Sequence, residues 1–214
     1  MKYTLLIFDW DGTLIDSEAR IVSSFQGATK ELGLRIPSDF SVRDIIGLGL
    51  PEAIAKVMPE CDATQCQLIR EAYSRHYNTV DSTPTSLFDG VFEGLHHLKE
   101  VGYRLAVATG KSRRGLNRVM NETALGSIFE LSRCADETTS KPAPLMLEEI
   151  LAETCVEKHN AVMIGDTTYD LEMARLAGID SIGVTYGVHP RHRLEVFGPT
   201  KFVNDFDELV AWLK

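Results

Sequence analysis

The sequence predicts an α/β protein built on a doubly wound parallel sheet, with an α-helical domain inserted near its start. Three observations predict it. Short, nearly continuous apolar runs recur, each too brief for a helix and each stopping abruptly, as strands buried on both faces do. Amphipathic segments with helix punctuation separate most of them, so strand and helix alternate and right-handed crossovers follow. One long stretch, residues 16–85, instead carries several helical patterns and no buried strand.

The first run, residues 3–8 (YTLLIF), ends at Asp9. Helical patterns then cover residues 18–32, 42–46, 52–57 and 64–79, separated by Gly33, Pro37, Gly47, Gly49, Pro51 and Pro59. This insert reads as a cap domain over residues 16–85, with hinges at 13–17 and 81–87; residues 1–15 and 86–214 form the core. A helix over 91–101 stops at Gly102, and the run 103–108 (YRLAVA) stops at Thr109-Gly110. Ser112 caps a helix over 112–120, and two prolines precede another over 143–153. The run 161–164 (AVMI) meets Gly165-Asp166, a helix over 168–177 ends at Gly178, and 181–184 (SIGV) leads into Thr185.

Composition narrows the function classes. The 214 residues are 44% hydrophobic and 25% charged, which excludes disordered and fibrous chains. No apolar run approaches the ~20 residues that span a bilayer. The formal charge of −9 disfavours nucleic acid and anionic membranes as partners. The opening residues lack a secretion signal's basic flank and cleavage site, so a cytoplasmic protein is expected, monomeric or homodimeric. Cys61, Cys66, Cys134 and Cys155 match no zinc spacing and read as reduced thiols.

Four motifs sit at strand ends. Asp9 and Asp11 follow the first strand two residues apart, where two carboxylates repel unless a cation or proton intervenes. Thr109-Gly110-Lys111-Ser112 offers a hydroxyl and free helix N-terminal N–H groups, a phosphate cradle. In Ser140-Lys141-Pro142 the proline restricts Lys141 and can aim its ammonium. Asp166 and Asp170 lie one helical turn apart after the third strand. Singly, each fits a structural role: turn or cap for the acids and hydroxyls, a solvated surface for the lysine. Together they fall at one edge of one sheet, where open α/β folds bind ligands. Up to four carboxylates there call for a hard cation such as Mg²⁺.

With DWDGTL, ATGKS, SKP and GDTTYD in this order, the chain resembles the haloacid dehalogenase superfamily, most closely its phosphoglycolate-phosphatase-like branch with a helical cap on a Rossmann-like core. The resemblance spans essentially the whole chain. It implies a Mg²⁺-dependent hydrolase of small-molecule phosphate esters. Asp9 would attack phosphorus to form an aspartyl-phosphate, and Asp11 would act as acid and then base. Mg²⁺ would be held by Asp9, Asp166 and the Asp11 backbone carbonyl, with Asp170 in support. Thr109 and the N–H groups near Gly110 would hold the phosphoryl group, and Lys141 would offset charge.

The acid at Asp11 argues against dehalogenation. Ile21, where the sugar-phosphate mutases carry a cap-hinge histidine, argues against a mutase or other phosphotransferase, the alternative enzyme reading. Neither cap lysine, Lys30 or Lys56, matches a Schiff-base context. A phosphate-binding scaffold without turnover is the alternative of another class, opposed by the intact motifs. A dinucleotide site is disfavoured because no Gly-x-Gly-x-x-Gly turn follows the first strand. In the cap, Arg43 beside Gly47 and Gly49 is expected to bind an anionic group on the leaving half. Arg191-His192-Arg193 forms a second basic cluster, with a weaker claim on substrate.

Overall fold

The computed structural model describes residues 2–214. In chain order its elements are β1 (Leu5–Phe8), β2 (Ile15–Asp16), α1 (Glu18–Glu31), α2 (Asp39–Arg43), α3 (Leu50–Val57) and α4 (Ala63–Arg75), which runs on into a π-helical turn, His76–Val80. There follow β3 (Ser86–Leu87), α5 (Val91–Glu100), β4 (Arg104–Thr109), α6 (Arg113–Glu122), β5 (Leu131–Cys134), α7 (Leu145–Thr154) and β6 (Ala161–Gly165). The chain closes with α8 (Thr168–Ala177), β7 (Asp180–Val184), α9 (Arg191–Leu194), β8 (Lys201–Val203) and α10 (Phe206–Leu213).

Six strands make one parallel sheet in the order β5-β4-β1-β6-β7-β8. Strand β1 is central because all four of its residues are buried, and its side chains alternate between two cores. Leu6 and Phe8 pack with Leu95, Leu116 and Phe206 on one face; Leu5 and Ile7 pack with Met146, Ile150 and Met173 on the other. The four apolar runs of the sequence are β1, β4, β6 and β7. Two further strands, β5 and β8, lie at the sheet edges and were not expected. Their sequences, LSRC and KFV, are only half-buried, so no continuous apolar run announces them.

Helices α1 to α4 enclose a third apolar cluster that includes Ile21, Phe25, Val42, Ile54 and Ile69. Helix α4 opens on a capping box: the Asp62 carboxylate accepts from Gln65 N while the Gln65 amide oxygen accepts from Asp62 N. The chain enters this helical layer after β2 and leaves it before β3. These two strands pair antiparallel, Ile15 opposite Leu87 and Asp16 opposite Ser86.

Candidate active site

The site is assembled by strand tips. Asp9 N donates to Ile164 O at 2.9 Å, extending the β1–β6 ladder by one bond and fixing Asp9 at the carboxyl edge. Residues 10–15 then fold back tightly, with Gly12 N donating to Ile15 O at 2.9 Å. Gly12 has φ +81°, and a Cβ there would overlap the Asp166 carboxylate, so only glycine allows the turn to touch β6's end. Asp166 follows β6 directly. Asp170 sits in the first turn of α8, where Thr167 N and Oγ1 both donate to its Oδ2 at 3.0 and 2.6 Å.

Asp9, Asp166 and Asp170 are buried, and each offers an oxygen within 4.8 Å of the others'. Lys141 reaches into this group. Its Nζ lies 2.7 Å from Asp9 Oδ1 and 2.6 Å from Asp170 Oδ1, with the side chain fully buried. Burial alone would depress the lysine, but the charges of Asp170 and Asp9 outweigh it and hold the ammonium protonated. Asp166 accepts from Thr13 Oγ1 at 2.7 Å and from Val188 N at 2.8 Å. Burial, reinforced by Asp170, nevertheless pushes its carboxyl up to about 7.

Asp9 is the exception in this network. Its Oδ1 contacts Lys141 without hydrogen-bond alignment, and its Oδ2 has no partner. Burial raises its carboxyl well above the usual range, with Lys141 opposing and Asp170 and Asp166 adding to the rise. A buried carboxylate left bare is costly unless something else engages it. Three buried carboxylates face a single ammonium, and the donors are hard oxygens. They fit a small divalent cation such as Mg²⁺.

Asp11 stands beside this group and outside it. Ser17 Oγ donates to its Oδ1 at 2.6 Å, and Lys111 Nζ lies 2.9 Å from its Oδ2. Its side chain is therefore not part of the cluster formed by Asp9, Asp166 and Asp170. Thr109 is buried at the tip of β4, and its Oγ1 accepts from Lys111 N at 3.3 Å. Ser112 caps α6 by accepting from Gly115 N at 3.2 Å, as its position in the sequence suggests.

The helical layer closes over these tips. A Cβ on Gly110 would lie 2.5 Å from Leu48 O and 2.6 Å from Gly47 O, so the 47–48 backbone rests directly on the cradle loop. Gly49 N donates to Ser140 Oγ at 2.7 Å. Tyr169 Oη donates to Asp44 O at 2.6 Å and accepts from Lys56 Nζ at 2.6 Å. Beneath this lid is a cavity of about 730 Å³ reached by Asp9, Asp11, Gly110 and Lys111.

Arg43 is not brought to that cavity. Its guanidinium pairs with Glu18 at 2.6 Å, and its segment contributes backbone at Gly47 and Leu48 instead. The 191–193 cluster also turns elsewhere: Arg193 pairs with Asp44 at 2.6 Å and Arg191 with Glu195 at 2.9 Å. Sequence reasoning passed over Thr13, Ser17 and Lys111 as individual contacts. Thr13 lies inside the first motif, Ser17 just after it and Lys111 inside the second, so their positions were visible while their partners were not.

Comparison with known proteins agrees with this arrangement. The family model described as haloacid dehalogenase-like hydrolase matches residues 6–184. A Dickeya dadantii protein named "Probable phosphatase IndB" is 36% identical over 97% of this chain and 92% of its own length. The phosphoglycolate phosphatase of Colwellia psychrerythraea is 29% identical over 98% of this chain and 96% of its own. A solved haloacid dehalogenase-like hydrolase from Bacteroides fragilis superposes with a TM-score of 0.90 at 26% identity, covering 97% of this chain and all of that one, 100%. Motif order, strand-tip geometry and these likenesses converge: the chain belongs to the haloacid dehalogenase-like hydrolase family.

Proposed function

We propose that the protein is a Mg²⁺-dependent phosphomonoester hydrolase that works through an aspartyl-phosphate on a small phosphorylated metabolite in the cytoplasm, with phosphoglycolate-like acids as the first substrates to try. The observation that carries this reading is the buried, unpartnered Oδ2 of Asp9, held at the sheet edge beside Lys141. Such an oxygen is a nucleophile without a competing donor. The names of the relatives, phosphatase and phosphoglycolate phosphatase, support the same class.

In the first half-reaction Asp9 Oδ2 forms a bond to phosphorus as the ester's P–O bond breaks, and the departing oxygen takes a proton from Asp11. In the second, water gives a proton to Asp11 as its oxygen attacks phosphorus, which releases inorganic phosphate and restores the Asp9 carboxylate. Thr109 Oγ1 and the N–H groups around Gly110 would hold the transferring oxygens, and Lys141 would balance the charge of Asp9. Asp9, Asp166 and the Asp11 carbonyl would hold Mg²⁺, with Asp170 in support; when bound it neutralises charge on the phosphoryl oxygens. The division of labour follows the chain: residues 1–15 and 86–214 supply the chemistry and residues 16–85 the lid.

The test is a screen of phosphate monoesters, phosphoglycolate included, with Mg²⁺ and with chelator, using Asp9→Asn as the control. Mg²⁺-dependent phosphate release that disappears in Asp9→Asn supports the reading; release that persists at the wild-type rate in that variant rejects it.

A further inference from the structure

The cavity beneath the lid is far larger than a two-carbon acid requires. Its volume of about 730 Å³ would take about two dozen waters at ~30 Å³ each, and it falls in the range of sites that enclose ring-sized organic ligands. The two domains line it differently. The helical layer supplies apolar and aromatic side chains, among them Phe25, Ile46, Tyr73 and Tyr77. The core supplies Lys111, just ahead of α6, and Arg114 and Arg118, one turn apart on that helix.

This wall is unbalanced. Apart from Asp9 and Asp11 no carboxylate lines the cavity among the described residues, in a chain whose formal charge is −9. Arg114 has no ion-pair partner among the described residues. Arg118 has a buried Nε without a hydrogen-bond acceptor, its nearest acid being the exposed Glu122 at 3.5 Å. Lys111 and Arg118 also crowd the Tyr77 ring, at 5.1 and 5.4 Å from its centroid. Lys111 is already matched by Asp11, but Arg114 and Arg118 on the same wall have no acid of the cavity to answer them and are arranged for an anion that arrives with the ligand.

We propose that Arg114 and Arg118 bind a second anionic group, carboxylate or phosphate, on the leaving portion of the ester, while the aromatic wall covers an apolar or ring-bearing body between the two charges. The substrate class is therefore a doubly anionic phosphomonoester with a sizeable body. This rests on the phosphatase reading for turnover, though the recognition it describes is a matter of binding.

Two measurements test it. The first compares kcat/KM for 4-carboxyphenyl phosphate and 4-carbamoylphenyl phosphate, which match in size and differ in charge, with phosphoglycolate as an acid lacking the body. The wild type should favour the carboxylate ester over the amide by roughly tenfold, the scale of one charge-assisted hydrogen bond. It should also favour that ester over phosphoglycolate. Arg118→Gln and Arg114→Gln, with unchanged thermal melts, should bring the carboxylate-to-amide ratio toward one. A wild-type ratio near one, a ratio that survives both substitutions, or phosphoglycolate as the better substrate would overturn the proposal. The second titrates 4-carboxybenzylphosphonate and its carbamoyl analogue into Asp9→Asn by calorimetry. Equal affinities sink the recognition claim even if no ester is hydrolysed, whereas absent turnover with selective binding counts only against the phosphatase reading.

Discussion

Lys141 and Asp9 are sequence-distant residues whose Nζ and Oδ1 meet at 2.7 Å with neither side chain open to water, and the same ammonium touches Asp170 Oδ1 at 2.6 Å. One cation thus holds a carboxylate from the tip of β1 and another from the first turn of α8. Lys141→Met should leave both acids without compensation. Removing one member of a buried ion pair costs about 3–5 kcal/mol, so denaturant unfolding in chelator should show a loss of that size together with abolished phosphate release. An unchanged midpoint would mean that the carboxylates are held by something other than the lysine.

Asp9→Asn should separate chemistry from stability. Phosphate release is expected to fall by more than about a thousandfold, the scale of losing a nucleophile. The fold should not weaken, because Asp9 is a desolvated charge whose Oδ2 has no partner, and Lys141 keeps Asp170. Metal binding offers the complementary readout. Mg²⁺ at a hundred times its Kd should stabilise the wild type by about 2.7 kcal/mol, and Asp166→Asn should lose most of that gain. Thermal melts with and without Mg²⁺ decide both points.

His189 gives a pH signature. Its ring is buried, and Thr168 N donates to Nδ1 at 3.0 Å, a bond that requires an unprotonated nitrogen. Burial, helped by Arg193 and opposed by Asp44, pushes its pKa down to about 4. In the unfolded chain it returns to about 6.5. The unfolded state therefore binds the extra proton first, so stability from this residue is complete above about pH 6.5 and drains away as pH falls toward 4. The loss across that interval is on the order of 2–3 kcal/mol. Unfolding free energies at pH 7 and 4.5 for the wild type and His189→Gln should diverge by this amount; parallel curves would show that the ring does not titrate as described.

Gly110→Ala probes the lid. The added methyl would press on Leu48 O and Gly47 O at 2.5 and 2.6 Å. The three atoms nearest that methyl all belong to the 47–48 backbone, so the conflict falls on lid closure, at a cost of about 1–3 kcal/mol typical of overpacking. The expected result is a kcat/KM lowered by about tenfold or more and faster amide exchange in residues 44–50, with the thermal midpoint of the core little changed. Unaltered exchange in that segment would show that the lid tolerates the methyl.

How much of this was legible beforehand follows from where each residue gets its meaning. Strands β1, β4, β6 and β7 are interior to the sheet, and burial on both faces writes them as apolar runs. Strand β5 is an edge: its Arg133 leaves the strand to pair with Glu149 and Glu153, so the sequence there looks like a loop. Asp9, Asp11, Lys141, Asp166 and Asp170 could be read because each follows a strand or opens a helix, and strand ends converge. Lys111 could not be placed, since its partners Asp11 and Tyr77 come from the first strand tip and from the helical insert. Its spacing from Arg114 and Arg118 was the signal available. Arg43 misled for the converse reason: a basic residue beside glycines suggests an anion, while the fold had already supplied Glu18.

The pairing of β2 with β3 has a consequence for how such a protein can change. Both crossings between core and insert run through one short ladder, Ile15 to Leu87 and Asp16 to Ser86, and the insert has its own apolar centre. An excursion that departs and returns at neighbouring positions can be lengthened, shortened or replaced by descent without rearranging the strand tips. Selectivity is thereby heritable apart from reactivity, and new leaving groups can be explored while the machinery that handles phosphorus stays as it is.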